Sequence, residues 1–596
     1  MRSDLTYEKG TQKRMCGIWA LLGPSLPETA EVRTYVQKLS PRGPEQYRVS
    51  RENHGFLGFT RLAINGCNPG GMQPFYLEKL RWMCNGEIYN AHELAKQYKI
   101  EMPSGSDCEV LGPLYRIFRN NNDLPGFFRS LDGVFAIVIY DEEKNMLVFG
   151  RDPYGVRPMF GAWNCLNIQD VPEAIEGVKD LSALTVRLIM LGGQLSHFCL
   201  SSEIKAIPEF CKYRIQVNPG HYGSINISEC NDFFEDSYHT VPWVKNPLLS
   251  PAHPKGYDMA KQSIQFALEK SVEKRLLTER PVGALLSGGL DSSLIAALVQ
   301  KNLKQLGLPP LQTFSIGMEG STDLFYARKV ADHIGSKHTE YIVSANDFLE
   351  AIPQVIHDIE SYDITTVRAS VGNWLVSKYI ARDSDCKVIF NGDGSDEVFG
   401  SYLYFFHAPN DQCYEDEVER LLKEISYYDV LRSDRSISSH GLEPRTPFLD
   451  KQFVAVCRSV ASCWRMPIQG VQIEKKILRD AFAESGLLPH EVLWRKKEAF
   501  SDGVSSQEKS WYEIIQDSMN EQIPGDWQYS ALDYTYLTPY TKEAYYYRKL
   551  YEGFYGSLSA VTCIPAFWMP KWIPGATDPS ARTLKIYSTS DVSTSM

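Results

Sequence analysis

Between an apolar run, Val282 to Leu286, and a run whose apolar residues recur at helical spacing lies Ser287-Gly288-Gly289-Leu290-Asp291-Ser292. Two glycines without Cβ atoms let a backbone close around phosphate oxygens, and a helix starting at once supplies free N–H groups and a positive dipole end. Asp291 stands where a carboxylate could hold a Mg²⁺ ion that bridges those oxygens. A bare glycine turn between strand and helix is the plainer alternative; the full hexapeptide with both flanks correct favours phosphate. The Walker A pattern, with its lysine and hydroxyl residue after the second glycine, is absent. Two further strand ends carry chemistry. Ile316-Gly317 ends an apolar run where backbone could meet an adenine ring, and Asn391-Gly392-Asp393-Gly394-Ser395-Asp396-Glu397 sets three acids among glycines. Such acids are costly to bury without cations, so this segment reads either as a second metal and substrate wall or as a solvated acidic turn. Near the other end of the chain, Cys16 precedes the apolar stretch Gly17 to Leu22. It is either a small core filler or a nucleophile.

The elements that must position these residues fall into two patterns. From Cys16 to about Tyr238, short apolar or alternating runs separated by Gly, Pro and Asn predict packed antiparallel sheets with few helices. A Pro-rich stretch, His239 to Pro254, reads as a linker. Beyond it, helical and strand patterns alternate: a helix over about Asp258–Leu277, strands at Val282–Leu286, Leu311–Gly317, His338–Val343 and Lys387–Asn391, and helices from Ser292 and over Asp323–Ile334. This alternation predicts a parallel sheet covered on both faces, with ligands at the carboxyl ends of its strands.

The bulk numbers agree with two domains, since 596 residues exceed what one core supports. A net charge of −11 without long basic runs argues against nucleic acid or an anionic membrane as the main partner. Thirteen cysteines with no C-x-x-C pair argue against a disulfide framework or a structural zinc site. Residues 1–15 hold no apolar signal core, and no apolar run approaches the ~18 residues of a membrane span. The cytosol is the expected location.

Taken together, the motifs resemble those of the glutamine-hydrolysing asparagine synthetases, from Met15 to about Leu584. Matching stretches include MCGIWALLG, RLAI, GMQPF, CNGEIYN, GSDCEV, LDGVFA, GRDPYGVRP and SSEIKAI, then LLSGGLDSSL, TFSIGM, YDITTVRAS, GSDEVFG, PFLD, WRKKEAFSDGV and TDPSARTL. The resemblance implies an α+β fold: a four-layer α/β/β/α glutaminase domain over 16–238, then a linker over 239–256. An α/β domain with a parallel sheet follows over 257–584, of the ATP-pyrophosphatase, adenine nucleotide α-hydrolase-like kind. Residues 1–15 would be an extension absent from the active form, and 585–596 a flexible tail. The implied activity makes asparagine from aspartate, ATP and ammonia released from glutamine, by way of β-aspartyl-AMP. Cys16 would be the N-terminal nucleophile, its own α-amine shuttling the proton near neutral pH. Arg61, Leu62, Ala63, Ile64, Asn65, Asn85, Gly86, Glu87 and Asp107 would bind glutamine, with Arg61 on its carboxylate, Asp107 on its ammonium, and Asn85 and Gly86 forming the oxyanion hole. Leu286, Ser287 to Ser292, Ile316, Asn391, Gly392 and Lys475 would bind ATP, and Asp291 and Asp396 would bind Mg²⁺. A largely apolar passage would carry ammonia, and a homodimer is implied.

Four features depart from the family pattern. Fifteen residues precede Cys16. The family's H-R-G-P-D reads Pro41-Arg42-Gly43-Pro44-Glu45 here. Asp393 stands at the catalytic glutamate, withdrawing the carboxylate by roughly 1.5 Å, a displacement that can cost on the order of a hundredfold in rate. Trp163 to Leu200 exceeds the family's hairpin by roughly thirty residues, either a surface insertion, which loops tolerate, or a gene-model artefact. These departures leave two alternatives beside the leading activity: a catalytically weakened regulator that binds nucleotide or glutamine, and an amide-forming synthetase for another carboxylate.

Overall fold

Strand β1 (Gly17–Leu22) is buried along its whole length, and its alternate residues belong to different cores. Ile18, Ala20 and Leu22 pack with Met83, Ala136 and Val138 of a second sheet, while Trp19 and Leu21 pack with Val32 and Val36 of the helix Thr29–Gln37. A period of two therefore builds two layers at once. The computed structural model describes residues 16–43, 45–167, 175–242, 249–505 and 509–580. The expected extension 1–15 and tail 585–596, with parts of the linker and of the long hairpin, lie outside the described residues.

The other strands are β2 (Gln46–Glu52), β3 (Gly55–Arg61), β4 (Phe75–Leu77), β5 (Leu80–Ile88), β6 (Gly133–Asp141), β7 (Met146–Arg151), β8 (Phe160–Leu166), β9 (Gln194–Ser201), β10 (Tyr213–Gln216), β11 (His221–Asn226) and β12 (Phe234–Ser237). They form two six-stranded antiparallel sheets, in the orders β10-β8-β9-β1-β3-β2 and β12-β11-β7-β6-β5-β4. The outer face of the second sheet, with Trp82, Phe135, Ile137 and Ile139, is covered by Leu111, Leu114 and Tyr115 of the helix Leu111–Asn120. The result is the four-layer α/β/β/α arrangement. As expected, helices are few: among the described residues of this part of the chain five short α-helices, including Ala91–Tyr98 and Leu124–Ser130, accompany the two sheets.

The described part of the long hairpin is folded. The helix Leu181–Met190 is capped by Asp180 and buries Leu181, Leu184 and Leu188 in the core that holds Trp163 and Phe198. The Trp163 indole N–H donates to Thr185 at 2.9 Å. Apolar residues at helical spacing that fit a sheet face are not what an arbitrary translated segment would supply.

The second sheet system is parallel throughout: β13 (Val282–Leu285), β14 (Gln312–Gly317), β15 (Lys337–Ile342), β16 (Val388–Phe390) and β17 (Glu443–Arg445), in the order β15-β14-β13-β16-β17. Ala284, Val388 and Phe390 face the helices Gly256–Lys274 and Leu290–Gln305, while Ile389 and Phe314 face Ala345–Ile359 and Ile364–Asp383. Two small boundaries move: the first of these helices begins at Gly256, inside the expected linker, and the second begins at Leu290 rather than Ser292. β17 has no counterpart in the sequence reading, since three residues with a central proline carry no strand signal. The chain runs outward from β13 through β14 to β15, then returns to β16 beside β13. The carboxyl ends of β13 and β16 thus meet at the topological switch point, where sheets of this kind bind ligands.

Candidate functional site

Two groups of residues gather at strand ends, one in each sheet system. The first surrounds Cys16, which directly precedes the central strand β1. Gly17 admits no side chain there, because a Cβ would lie 2.8 Å from Thr60 Oγ1. The Cys16 thiol is 3.3 Å from the Leu62 carbonyl and accepts from the Leu62 N–H at 3.4 Å. Burial, opposed by the Leu62 N–H, pushes the thiol up to about 12, with Glu443, Arg61 and Glu87 the charges that act on it.

The glutamine-side candidates take up the following places. Arg61 points back under its own loop, donating from Nη1 to Asn68 O at 2.9 Å and from Nη2 to Gly66 O at 2.6 Å. Burial lowers its affinity for a proton. Leu62 and Ile64 send their side chains into the core shared with the second domain, so only their backbones remain available to a ligand. Ala63 is buried too. Asn65 donates to Glu87 at 2.5 Å, and Glu87 lies 3.7 Å from Arg445. Burial and the neighbouring Asp107 and Glu443 raise the Glu87 carboxyl well above its ordinary range. Asp107 accepts from the Ile88 N–H at 2.6 Å, and burial lifts its carboxyl to about 6 against that bond. Asn85 is fully buried with no partner for its side-chain oxygen. Gly86, at φ +143°, holds a conformation closed to side chains, and a Cβ there would meet Val134 O at 2.0 Å. Glu87 accepts from Asn65 and lies near enough to Asp107 for the two like charges to act on each other.

The second group lines a cleft of about 1640 Å³ open to solvent at the β13–β16 switch point. Leu286, Ser287, Gly289, Leu290, Asp291, Ser292, Ile316, Asn391, Gly392, Asp393, Asp396 and Lys475 all border it. Gly288 does not line it. Its φ of +70° makes the turn, and a Cβ would lie 2.4 Å from Ala327 N, so the residue serves the loop's shape. Gly392 is equally confined, its missing Cβ 2.7 Å from Ser292 N, which presses the two loops together.

Charge in the cleft is paired. Lys475, itself at φ +56°, reaches Asp291 at 2.5 Å and Asp396 at 2.7 Å. Ser395 donates to Asp291 at 2.9 Å, and Lys497 pairs with Asp396. Burial opposes ionisation of Asp396, but Lys475 and Lys497 outweigh it and hold the carboxyl far below its ordinary range. Asp393 accepts from Arg432 at 2.9 Å, and its other oxygen is buried without a partner. Asn391 donates to Ser433 at 2.7 Å. Glu397 takes the Tyr402 hydroxyl, and burial with Asp429 and Asp396 nearby raises it well above the usual carboxylate range. The segment Asn391 to Glu397 is therefore a wall of acids, Asp393 and Asp396 part-buried and paired with cationic side chains and Glu397 buried against the Tyr402 hydroxyl, and the solvated-turn reading is set aside.

Lys497, Arg432, Arg495 and Tyr402 line the cleft and were not singled out from the sequence. The basic run Arg495-Lys496-Lys497 was the available signal. Two acids that share one lysine, with phosphate oxygens to complete the shell, suit Mg²⁺, which commonly takes one or two carboxylates beside substrate phosphates. Among the described residues no cluster of three or more His, Cys, Asp or Glu could hold a metal unaided.

The halves define a class first: a glutamine amidotransferase domain joined to a synthetase domain. The glutamine amidotransferase family pattern matches residues 15–234, and that of asparagine synthase matches 263–420 and 414–569. The glutamine-hydrolyzing asparagine synthetase of Gallus gallus is 41% identical, with 96% of this chain and 99% of that protein covered. That of Homo sapiens is 40% identical over the same shares. The chain belongs to the family of glutamine-hydrolysing asparagine synthetases.

Proposed function

We propose that this chain makes L-asparagine from L-aspartate and ATP with nitrogen taken from glutamine, releasing glutamate, AMP and pyrophosphate. The observation that carries the reading is the pairing, in one chain, of a half-buried thiol at a strand end with a phosphate-suited cleft at the switch point of a parallel sheet. The units are residues 16–238 and 257–584.

On the glutamine side, Cys16 attacks the amide carbon. Its thiol is protonated at neutral pH, so attack needs a proton acceptor close by, and a free α-amine on Cys16 itself is suited to that task. The working form accordingly begins at Cys16, and intact-mass measurement of active protein tests this: a retained Met1 on a glutamine-hydrolysing sample refutes it. The Gly86 N–H and Asn85 stabilise the oxyanion. Arg61, held by the Gly66 and Asn68 carbonyls, turns its remaining N–H groups to the substrate carboxylate, Asp107 and Glu87 take the ammonium, and the backbone of Leu62 to Asn65 lines the pocket.

In the cleft, Ser287 to Ser292 and the helix start at Leu290 cradle the departing pyrophosphate, while Leu286, Ile316, Asn391 and Gly392 border the adenosine. Lys475 offsets charge on the phosphates. Asp291 and Asp396 would hold Mg²⁺, which when bound neutralises and orients the phosphate oxygens. Asp393 holds charge beside the reacting carboxylate through Arg432. An apolar cluster that includes Leu62, Ile64, Leu286 and Leu290, with Cys16 packed on it, supports a sheltered route for neutral ammonia. A homodimer in the cytosol belongs to the same reading; no described helix is long and apolar enough to cross a membrane.

The test supplies aspartate, ATP and Mg²⁺ with either glutamine or ammonia and measures asparagine, AMP and pyrophosphate. Asparagine is expected from both nitrogen sources. Absence of AMP with either would overturn the reading in favour of a regulator.

A further inference from the structure

The segment Leu62 to Cys67 lies beyond the end of β3, and its backbone is satisfied from across the domain boundary. The Gly66 N–H donates to Glu279 Oε1 at 2.8 Å and the Cys67 N–H to Glu279 Oε2 at 3.2 Å. The Glu279 N–H in turn donates to Ile64 O at 3.0 Å, and Arg280 Nε to Ala63 O at 2.7 Å. Glu45 closes the ring, accepting from the Ala63 N–H at 2.9 Å with one oxygen and from Arg280 with the other. Gly66 is the residue whose carbonyl takes Arg61 Nη2, so Glu279 grips the N–H of the residue that aims Arg61. Although burial opposes it, the Cys67 and Gly66 N–H groups hold the Glu279 carboxyl below its ordinary range. Arg280 lies two residues before β13, which runs straight into Ser287 to Ser292.

We propose that Glu279 and Arg280, with Glu45 as third member, are positioning residues for glutamine: the synthetase domain clamps the loop that aims Arg61, and does so from the segment that leads into β13 and on to the glycine loop. The proposal rests on the glutamine-dependent reading above. None of the three side chains bonds to the Cys16 thiol, whose partners are the Leu62 N–H and carbonyl, so the clamp acts on glutamine affinity and on the coupling of its hydrolysis to synthesis, not on the chemistry. It also gives a use to Glu45, which departs from the family's aspartate: one carboxylate spans the Ala63 N–H and the Arg280 guanidinium.

The experiment uses the full chain with Arg280→Ala, Glu279→Gln and the conservative Arg280→Lys. It measures KM and kcat for glutamine hydrolysis, the ammonia-dependent rate of asparagine formation, and glutamate released per asparagine. Loss of two charge-assisted bonds in Arg280→Ala is expected to raise the KM for glutamine about tenfold. kcat and the ammonia-dependent rate stay within about twofold, since neither uses the clamp. Glutamate in excess of asparagine appears, and Arg280→Lys, which keeps the charge but not the fork, recovers part of the loss. An unchanged KM and ratio in both Arg280→Ala and Glu279→Gln overturns the proposal. So does an equal fall in the ammonia-dependent rate, which would mark a purely structural role. If the unsubstituted protein makes no asparagine from ammonia, the functional reading fails instead, and glutamine hydrolysis alone still tests the clamp.

Discussion

The surroundings of Cys16 and the cation-paired acids Asp291, Asp393 and Asp396 of the cleft between β13 and β16 handle charge in opposite ways. Around Cys16 the ionisable groups are held towards their neutral forms: the thiol near 12, Asp107 near 6, Glu87 well above its ordinary range. In the cleft Asp396 is kept ionised by two lysines, and Asp393 is paired with Arg432. The difference follows the ligands each would receive. On the proposed function, glutamine would arrive as a zwitterion and bring the charges that Asp107 and Arg61 lack as partners. ATP arrives with negative charge only, so the protein must supply cations beforehand and hold them in place, which here is done by pairing them with acids. The lysines are paired rather than free, and on the proposed function phosphate would compete with Asp291 and Asp396 for Lys475.

This contrast can be broken from either side. The largest effect expected is that of Cys16→Ala, which lowers glutamine-dependent asparagine formation by about a thousandfold or more and leaves ammonia-dependent formation intact. A fall in both would mean that the halves do not act separately. Next, Lys475→Ala removes the shared cation, and AMP formation with ammonia is expected to drop about a hundredfold or more. Pyrophosphate exchange into ATP checks whether the loss lies in adenylation. Asp393→Glu tests the shortened carboxylate: ammonia-dependent synthesis should rise, by up to about a hundredfold if misplacement by one methylene limits the present rate. An unchanged or lower rate would mean that the Arg432 contact already sets the geometry.

A fourth prediction concerns pH. The folded carboxyl of Asp107, near 6 against an ordinary 3.8, binds a proton that the unfolded chain has lost. Its burial therefore costs stability as pH rises from about 4 through 6, and the cost is complete above that window. Asp107→Asn should gain thermal stability at pH 8 but not at pH 4, while losing glutamine affinity. In the unsubstituted protein kcat/KM for glutamine should fall below pH 6, and a flat profile there would remove Asp107 from ammonium recognition. The smallest effect lies outside both regions. Asp180→Ala uncaps the helix Leu181–Met190 and should cost about 1 kcal/mol by denaturant titration, with both activities unchanged.

Much of this organisation was legible along the chain. The strands β13 to β16 were foreseen within a residue or two, because short apolar runs bounded by glycine and separated by helical periodicity admit few other readings. The glycine loop announced phosphate for a local reason: strand, turn and helix start are contiguous. What escaped was short or distant. β17 is three residues long, yet it delivers Glu443 and Arg445 to the glutamine side, where Arg445 approaches Glu87.

By itself the sequence determined the two kinds of sheet, the order of the domains, the thiol at the head of β1 and the acids and glycines of the phosphate loops, all properties of residues close together in the chain. Only the tertiary structure decided which charges meet. Lys475 joins Asp291 and Asp396, Arg432 joins Asp393, Arg42 binds both Asp434 and the carbonyl of Cys16, and Glu279 grips Gly66. Those pairings cross long stretches of sequence, and no periodicity records them. They arise because a buried charge must find a partner wherever the packing of two domains happens to place one.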